Sequence, residues 1–168
     1  MIVEARSEHA RGAGALRRLR ERARRHLSAL GCRDAELSIV IVGDAAIRRL
    51  NRRFREVDRA TDVLSFSQSQ PSGSGQRGGR IPHLLGDVII SLETAERAAR
   101  AHGGTVRQEL DRYLAHGLLH LLGYDHEGRR AARRMALVES SLVGEGMLAR
   151  AAVRVARSAP QPPRKAAR

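Results

Sequence analysis

The sequence has a single cysteine, Cys32, and no tryptophan. One cysteine excludes an intramolecular disulfide framework and is typical of a reducing compartment, so we expect Cys32 to pack as a small buried residue. Long apolar runs are also missing, since none approaches the ~18 residues of a membrane-spanning helix, and the first residues do not resemble a signal peptide. We therefore expect a cytoplasmic protein without a membrane contact.

Lysine and aromatic residues are scarce too. Lys165 is the only lysine, and with two Phe and two Tyr as the only aromatics, Leu, Ile, Val and Ala must build the core. The other basic residues are arginines, which give a net charge of +13 and a pI near 11.6. That charge favours a polyanionic partner, and arginine suits two-pronged contacts with phosphate. A solvated basic surface would have the same composition, because composition does not say where the charge lies.

Hydrophobic periodicity predicts the element order β-α-β-α-β-β followed by three helices. The predicted strands cover residues 2–6, 36–42, 61–67 and 84–90, and the first and last helices cover residues 14–30 and 127–147. Asp44 and Ser91 are expected to cap the helices that follow them, and Thr105 with Gln108 forms a capping box before the fourth helix. This order indicates an α+β fold in which helices pack on a small mixed β-sheet.

The length favours one domain, which we place at residues 1–150. Ser67–Pro82 is rich in Ser, Gly and Gln and is predicted to be a flexible loop within that domain, either a mobile lid or a disordered insertion. Residues 151–168 are basic and include a Pro-rich stretch, so we expect them to form a disordered tail.

Three of the seven histidines fall in one short run, HGLLHLLGYDH, which begins at His116. If its first part is helical, His116 and His120 lie one turn apart on the same face. Gly123 can then end the helix in a left-handed conformation, and the turn can bring His126 back to the other two. Three imidazoles without a nearby cysteine are typical of an open zinc site whose fourth position holds water. A lone histidine on an apolar face is more often an ordinary core residue, but the spacing favours a metal site.

The same spacing occurs in metzincin metalloproteases, which carry a glutamate directly after the first histidine. That glutamate takes a proton from the zinc-bound water, and Gly117 stands in its place here. Peptide hydrolysis is therefore disfavoured, whereas a zinc ion could still act as a Lewis acid on a phosphoryl oxygen. Glycine in place of glutamate, together with the net charge, moves the expected substrate from peptide to nucleic acid. The identity of the general base stays open.

The run from His116 to His126 resembles the signature of the YbeY family of rRNA maturation endoribonucleases. Two further segments resemble the same family, in the same order: LNRRFR at residues 50–55 followed by TDVLSF at residues 61–66, and LGDVIIS at residues 85–91. Together the three segments span most of residues 2–147.

The resemblance implies one zinc ion per chain, held by His116, His120 and His126 at the central helix and the loop after it, and a functional arginine at Arg55. It implies a metal-dependent hydrolase, an endoribonuclease that prefers single strands and acts in maturation of the 16S rRNA 3′ end and in ribosome quality control. Ribosomal RNA and the small ribosomal subunit would be its partners, with ribosomal proteins or assembly GTPases as further candidates. The implied fold is a small mixed sheet with helices and a metal cleft beside it.

Two other functions stay open. One is a ribosome-associated assembly factor with a structural zinc and little nuclease activity. The other is a metal hydrolase acting on a small molecule or peptide, which Gly117 and the net charge both disfavour. For Arg55, an ion pair with an acidic neighbour is the structural alternative.

Overall fold

A mixed sheet of four strands carries the fold in a computed structural model that describes residues 1–68, 84–125 and 128–144. The strands are β1 (Ile2–Ser7), β2 (Glu36–Val42), β3 (Val63–Ser67) and β4 (Leu84–Ser91). Their order across the sheet is β1-β2-β4-β3, in which β1, β2 and β4 are parallel and β3 pairs antiparallel with β4 at the edge. The predicted mixed sheet is confirmed.

Five α-helices accompany the sheet over the described ranges: α1 (Leu16–Ala29), α2 (Asp44–Arg55), α3 (Leu92–His102), α4 (Val106–Leu121) and α5 (Arg129–Val143). The predicted element order is confirmed. The capping box of Thr105 and Gln108 is present at the start of α4, and the Ser91 hydroxyl accepts from the Thr94 backbone N–H at the start of α3. None of the helices in this part of the chain is long and apolar enough to cross a membrane.

The predicted cap at Asp44 is wrong. Gly43 occupies the N-cap position in an extended conformation, and Asp44 is the first residue of α2. The Asp44 carboxylate instead accepts hydrogen bonds from the Ser91 and Thr94 hydroxyls, at 2.5 and 2.8 Å, and from the Arg97 guanidinium. This carboxylate therefore links the start of α2 to the start of α3.

The sheet packs helices on both faces. One face forms the main core with α1, α3, α4 and α5; its buried strand residues are Val3, Leu37, Ile39, Ile41, Val63, Leu85, Val88 and Ile90. The other face packs on α2 in a smaller cluster, built by Val40, Val42, Ile47 and Leu64. The alternation predicted for β3 is confirmed, because Val63 and Ser65 lie on the α4 side and Leu64 and Phe66 lie on the α2 side.

A buried ion-pair cluster joins three helices. Asp111 of α4 lies 2.6 Å from Arg18 Nη2 and 3.3 Å from Arg22 Nε, both on α1. Arg22 Nη2 also donates to the carbonyls of Leu142 and Val143, both at 3.3 Å, at the end of α5 where carbonyls lack donors within the helix. Because an unpaired buried charge costs several kcal/mol, this cluster holds α1, α4 and α5 in one arrangement.

Gly117 marks the closest approach of α4 to the sheet. A Cβ atom at this position would lie 2.8 Å from Val88 Cγ1, 3.0 Å from Ser65 Oγ and 3.1 Å from Val63 Cγ2. Ser65 Oγ also donates a hydrogen bond of 3.0 Å to the Gly117 carbonyl. The missing side chain therefore sets the height of α4 above β3 and β4.

The remaining sequence predictions divide between the described and undescribed parts of the chain. Cys32 is 1% exposed, which confirms that it packs as a buried residue. Ser67, expected to begin the flexible loop, is the last residue of β3. The rest of that loop, apart from Gln68 at its start, and the predicted tail at 151–168 lie outside the described residues. The predicted last helix is present as α5, and Glu127 and Met147 at its expected ends also lie outside them.

We expect His26 to make the stability of the fold depend on pH. The pKa of His26, in the last turn of α1, is lowered from 6.5 to about 3. Burial is the main cause, and the positive charges of Arg22 and Arg25 lower it further. The unfolded chain then binds a proton that the folded chain does not, so the free energy of unfolding falls as the pH drops from 6.5 towards 3, by at most about 1.4 kcal/mol per pH unit. Urea unfolding at about pH 7.5 and about pH 5 measures this slope. His26→Leu should reduce it, the exposed control His102→Gln should keep it, and equal slopes in wild type and His26→Leu would contradict the assignment.

Gly117→Ala should destabilise the fold by about 1–3 kcal/mol, because the added methyl group overpacks the contact between α4 and the sheet. Combining it with Val88→Ala makes room for that methyl group, so the double variant should lose less than the sum of the two single losses. Gly14→Ala is the matched control, since nothing lies within 4 Å of a Cβ atom there. Denaturant unfolding measures the free energy of unfolding of the wild type, the two single variants and the double variant. Strictly additive losses would show that contact with Val88 is not what disfavours a side chain at position 117.

Candidate metal centre

His116 and His120 lie one turn apart near the C-terminal end of α4, at the edge of the main core. Their Nε2 atoms are 3.0 Å apart, and their rings meet at 72° with centroids separated by 4.7 Å. Two nitrogens bound to one tetrahedral zinc ion at 2.0–2.1 Å would be about 3.3 Å apart. The two rings therefore point the right atoms at a common position, and the prediction that they share a helix face is confirmed.

Glu139 of α5 forms a hydrogen bond with the ring nitrogen of His116 that does not face His120. His116 Nδ1 lies 2.8 Å from Glu139 Oε2, and the Glu139 side chain is mostly buried, with 19% of its surface exposed. A carboxylate at this distance can accept the Nδ1 proton, and a neutral ring that donates from Nδ1 has a lone pair on Nε2. Histidines that bind metals regularly donate their second ring nitrogen to a carboxylate in this way.

Sequence reasoning missed Glu139. It belongs to a different helix from His116, and nothing in the local pattern of α5 distinguishes it from other charged residues. Glu139 lies beside the stripe of Met135, Val138 and Leu142 that packs α5 on the main core, and this packing brings its carboxylate to His116. Only the packing of α5 on α4 reveals it.

The third predicted ligand, His126, lies outside the described residues. The turn that leads towards it is present, since Gly123 adopts a φ of 83° and Tyr124 N donates to the Leu119 carbonyl at 2.9 Å. Within the described ranges, no group of three histidine, cysteine or acidic side chains is arranged to hold a metal ion. The structure thus brings two of the three predicted ligands together.

The donor set fits a zinc ion. Two imidazole nitrogens converge, one of them oriented by a carboxylate, and borderline-soft Zn²⁺ prefers such nitrogen ligands. The single cysteine is buried after the end of α1 and pairs its sulfur with the Leu30 carbonyl at 3.6 Å.

Position 117 cannot supply the carboxylate base of the metzincins in this fold. A side chain at Gly117 would point into the sheet, towards Val88 and Ser65. Close packing of α4 on the sheet therefore explains why position 117 is a glycine. The absence of a glutamate there does not by itself indicate the substrate. A nucleic-acid substrate is then favoured by the net charge and by the resemblance of the sequence motifs.

Arg55 is the last residue of α2, on the opposite side of the sheet from α4, and it is exposed. Its side chain forms no hydrogen bond or ion pair with any residue in the described part of the chain. The alternative prediction, an ion pair between Arg55 and an acidic neighbour, is therefore not met among these residues. The structure likewise shows no bond between Arg55 and either histidine. Buried Asn51 fixes the chain just after Arg55, because Asn51 Nδ2 donates to the Arg59 carbonyl at 2.8 Å.

Comparisons with known proteins show the family of this chain. The family model described as Endoribonuclease YbeY matches residues 6–145. A protein named Endoribonuclease YbeY from Anaeromyxobacter sp. (strain Fw109-5) is 58% identical over 154 residues, which cover 92% of this chain and 77% of the relative. The protein of the same name from Anaeromyxobacter dehalogenans (strain 2CP-C) is 57% identical over 157 residues, which cover 94% and 78% of the two chains.

The fold also matches a solved structure. The solution structure of a Thermotoga maritima protein superposes with a TM-score of 0.60 at 26% identity, over 84% of this chain and 87% of that one. The residues that the family model matches include the histidine pair, the Asn51–Arg55 segment and the edge strand. The chain belongs to the YbeY family of endoribonucleases, hydrolases that act on phosphodiester bonds.

Proposed function

We propose that this chain is a zinc-dependent endoribonuclease that prefers single strands and acts in 16S rRNA 3′-end maturation and ribosome quality control. Family membership supports the endoribonuclease activity. The observation that carries the zinc dependence is the convergence of His116 and His120, whose Nε2 atoms are 3.0 Å apart. The net charge of +13 supports an RNA partner, because binding to phosphates is driven by positive charge.

In this proposal His116, His120 and His126 hold the ion, and Glu139 keeps the His116 ring in the binding orientation. A bound Zn²⁺ supplies Lewis acidity and a lowered pKa for a coordinated water. Arg55 binds a phosphate of the substrate strand through its fork of donors, which is possible because its exposed side chain has no ion pair within the described residues. Ribosomal RNA within the small ribosomal subunit is the proposed substrate, in the cytoplasm, with ribosomal proteins or assembly GTPases as further partners.

Cleavage of a labelled single-stranded rRNA precursor tests this function. The wild type should cut it, and His120→Ala should lower the rate at least about 100-fold, because loss of a ligand empties the site that activates water. Chelation should abolish cleavage and added zinc should restore it. His102→Ala is the matched control, since His102 is an exposed histidine on α3, and it should cleave like the wild type.

Wild-type protein that contains zinc but cleaves no faster than His120→Ala would contradict the enzymatic role. That outcome would leave a ribosome-associated assembly factor with a structural zinc as the function. A zinc content far below one ion per chain would instead contradict the metal site.

Glu139→Ala should weaken zinc binding about 10–100-fold, the usual cost of removing a carboxylate that orients a histidine ligand. Glu139→Gln should weaken it less, because the amide oxygen can still accept the Nδ1 proton. Competition with a chromophoric chelator measures the affinity without reference to RNA cleavage. Glu21→Gln, at an exposed glutamate paired with Arg17 on α1, is the control and should bind zinc like the wild type. An unchanged affinity in Glu139→Ala would show that the contact does not orient a ligand.

A further inference from the structure

Phe54 is a large apolar side chain that the fold leaves at the surface. It is the second-last residue of α2, and 55% of its surface is exposed. Its ring packs edge to face against Phe66 of β3, with ring centroids 4.9 Å apart and an angle of 67°. An aromatic ring that is held in place and still exposed is suited to stack on a flat partner.

Exposed arginines lie on the same helix as this ring and in the loop after it. They are Arg49, Arg52, Arg53, Arg55 and Arg59. Within the described ranges, none of these five side chains forms a hydrogen bond or ion pair, and the Arg53 guanidinium lies 5.3 Å from the centre of the Phe54 ring. Arg48 on the same helix shows the contrast, because Asp58 neutralises it through two hydrogen bonds of 2.9 and 2.8 Å.

We propose that these residues form a binding site for single-stranded RNA. The α2 platform comprises Arg49, Arg52, Arg53, Phe54, Arg55, Arg59 and Phe66. One unpaired base stacks on Phe54, and the arginines contact the phosphates on either side of it. This inference rests on the proposed function, to which it adds the place where the strand is held.

The composition of the α2 platform matches what binding to a single strand requires. Every base has a flat face, so stacking on an aromatic ring tolerates all sequences but needs a base that is not paired. Arginine supplies two-pronged phosphate contacts, and its planar guanidinium stacks on bases as well. The preference for single strands then has a physical cause, because a base inside a duplex cannot reach Phe54.

The α2 platform and the histidine pair lie on either side of the same edge strand. In β3, Phe66 packs towards α2, while the preceding residue, Ser65, bonds to Gly117 of α4 between the two histidines. No further strand pairs with the outer side of β3 among the described residues. An RNA strand that crosses this edge passes from the α2 platform to the metal centre, so one continuous strand can occupy both.

Binding of a labelled oligonucleotide tests the α2 platform separately from cleavage. The probe is a 2′-O-methyl single strand of about 12 nucleotides, followed by fluorescence anisotropy at several salt concentrations with the zinc-loaded protein. Phe54→Ala should raise the Kd about tenfold without changing the salt dependence, because it removes stacking but no charge. Phe54→Tyr should bind like the wild type. Leu137→Ala is the matched control, since Leu137 is an apolar residue of α5 that is 65% exposed.

Loss of an arginine should change the salt dependence of binding, unlike loss of the Phe54 ring. Arg53→Ala, which removes the guanidinium next to the Phe54 ring, should lower the slope of log Kd against log salt by about 0.7, the value for one phosphate contact with a single strand. Arg24→Ala should leave that slope unchanged, since Arg24 is an exposed arginine of α1 with no hydrogen bond or ion pair in the described part of the chain. A duplex of the same sequence should bind wild type and Phe54→Ala equally, because its bases are not free to stack.

The proposal is overturned if Phe54→Ala binds the single strand as tightly as the wild type, or if it weakens binding to single strand and duplex alike. Either result can occur in a protein that still cleaves RNA, and the proposed function would then stand without the α2 platform. A protein that shows the Phe54 effect but cleaves nothing would support the α2 platform as an RNA-binding site and contradict the endoribonuclease activity. Thermal unfolding of each variant confirms that the comparison is made between folded proteins.

Discussion

The contact between α4 and the sheet at Gly117 is the constraint on which the candidate site depends. With no side chain at this position, the helix backbone packs directly against Val88 and Ser65, and the Ser65 hydroxyl bonds to the Gly117 carbonyl. Residue 116, immediately before this contact, and residue 120, one turn further on, are thereby held at the edge of the core, where each histidine is half-buried. A helix lifted from the sheet by a larger residue would carry both histidines with it.

The same helix gathers interactions from its neighbours at both ends. Near its start, Asp111 pairs with Arg18 and Arg22 of α1, and Arg22 reaches on to the end of α5. Near its end, His116 bonds to Glu139 of α5. The packing of α5 therefore serves two purposes, because it completes the core and it delivers the carboxylate that orients a histidine. Substitutions in the core that shift α5 should therefore also change the hydrogen bond between Glu139 and His116.

Much of the fold follows from local patterns in the sequence. Strands such as ELSIVIV, the capping box at Thr105 and the helical spacing of His116 and His120 depend on neighbouring residues, and all three were predicted correctly. The features that were missed depend on contacts between distant segments. Asp44 was predicted to cap α2, but Gly43 takes that position. The Asp44 carboxylate instead accepts hydrogen bonds from Ser91, which caps α3, and from Thr94 within α3. Glu139, the packing role of Gly117 and the α2 platform around Phe54 likewise appear only when helices and strands are placed together.

X-ray absorption at the zinc edge tests the central claim, that the end of α4 and the turn after it hold a metal ion through imidazole nitrogens. We predict light-atom ligands at about 2.0–2.1 Å with outer-shell scattering from three imidazole rings, and from two rings in both His120→Ala and His126→Ala. A sulfur ligand at about 2.3 Å, or a spectrum that His120→Ala leaves unchanged, would contradict it.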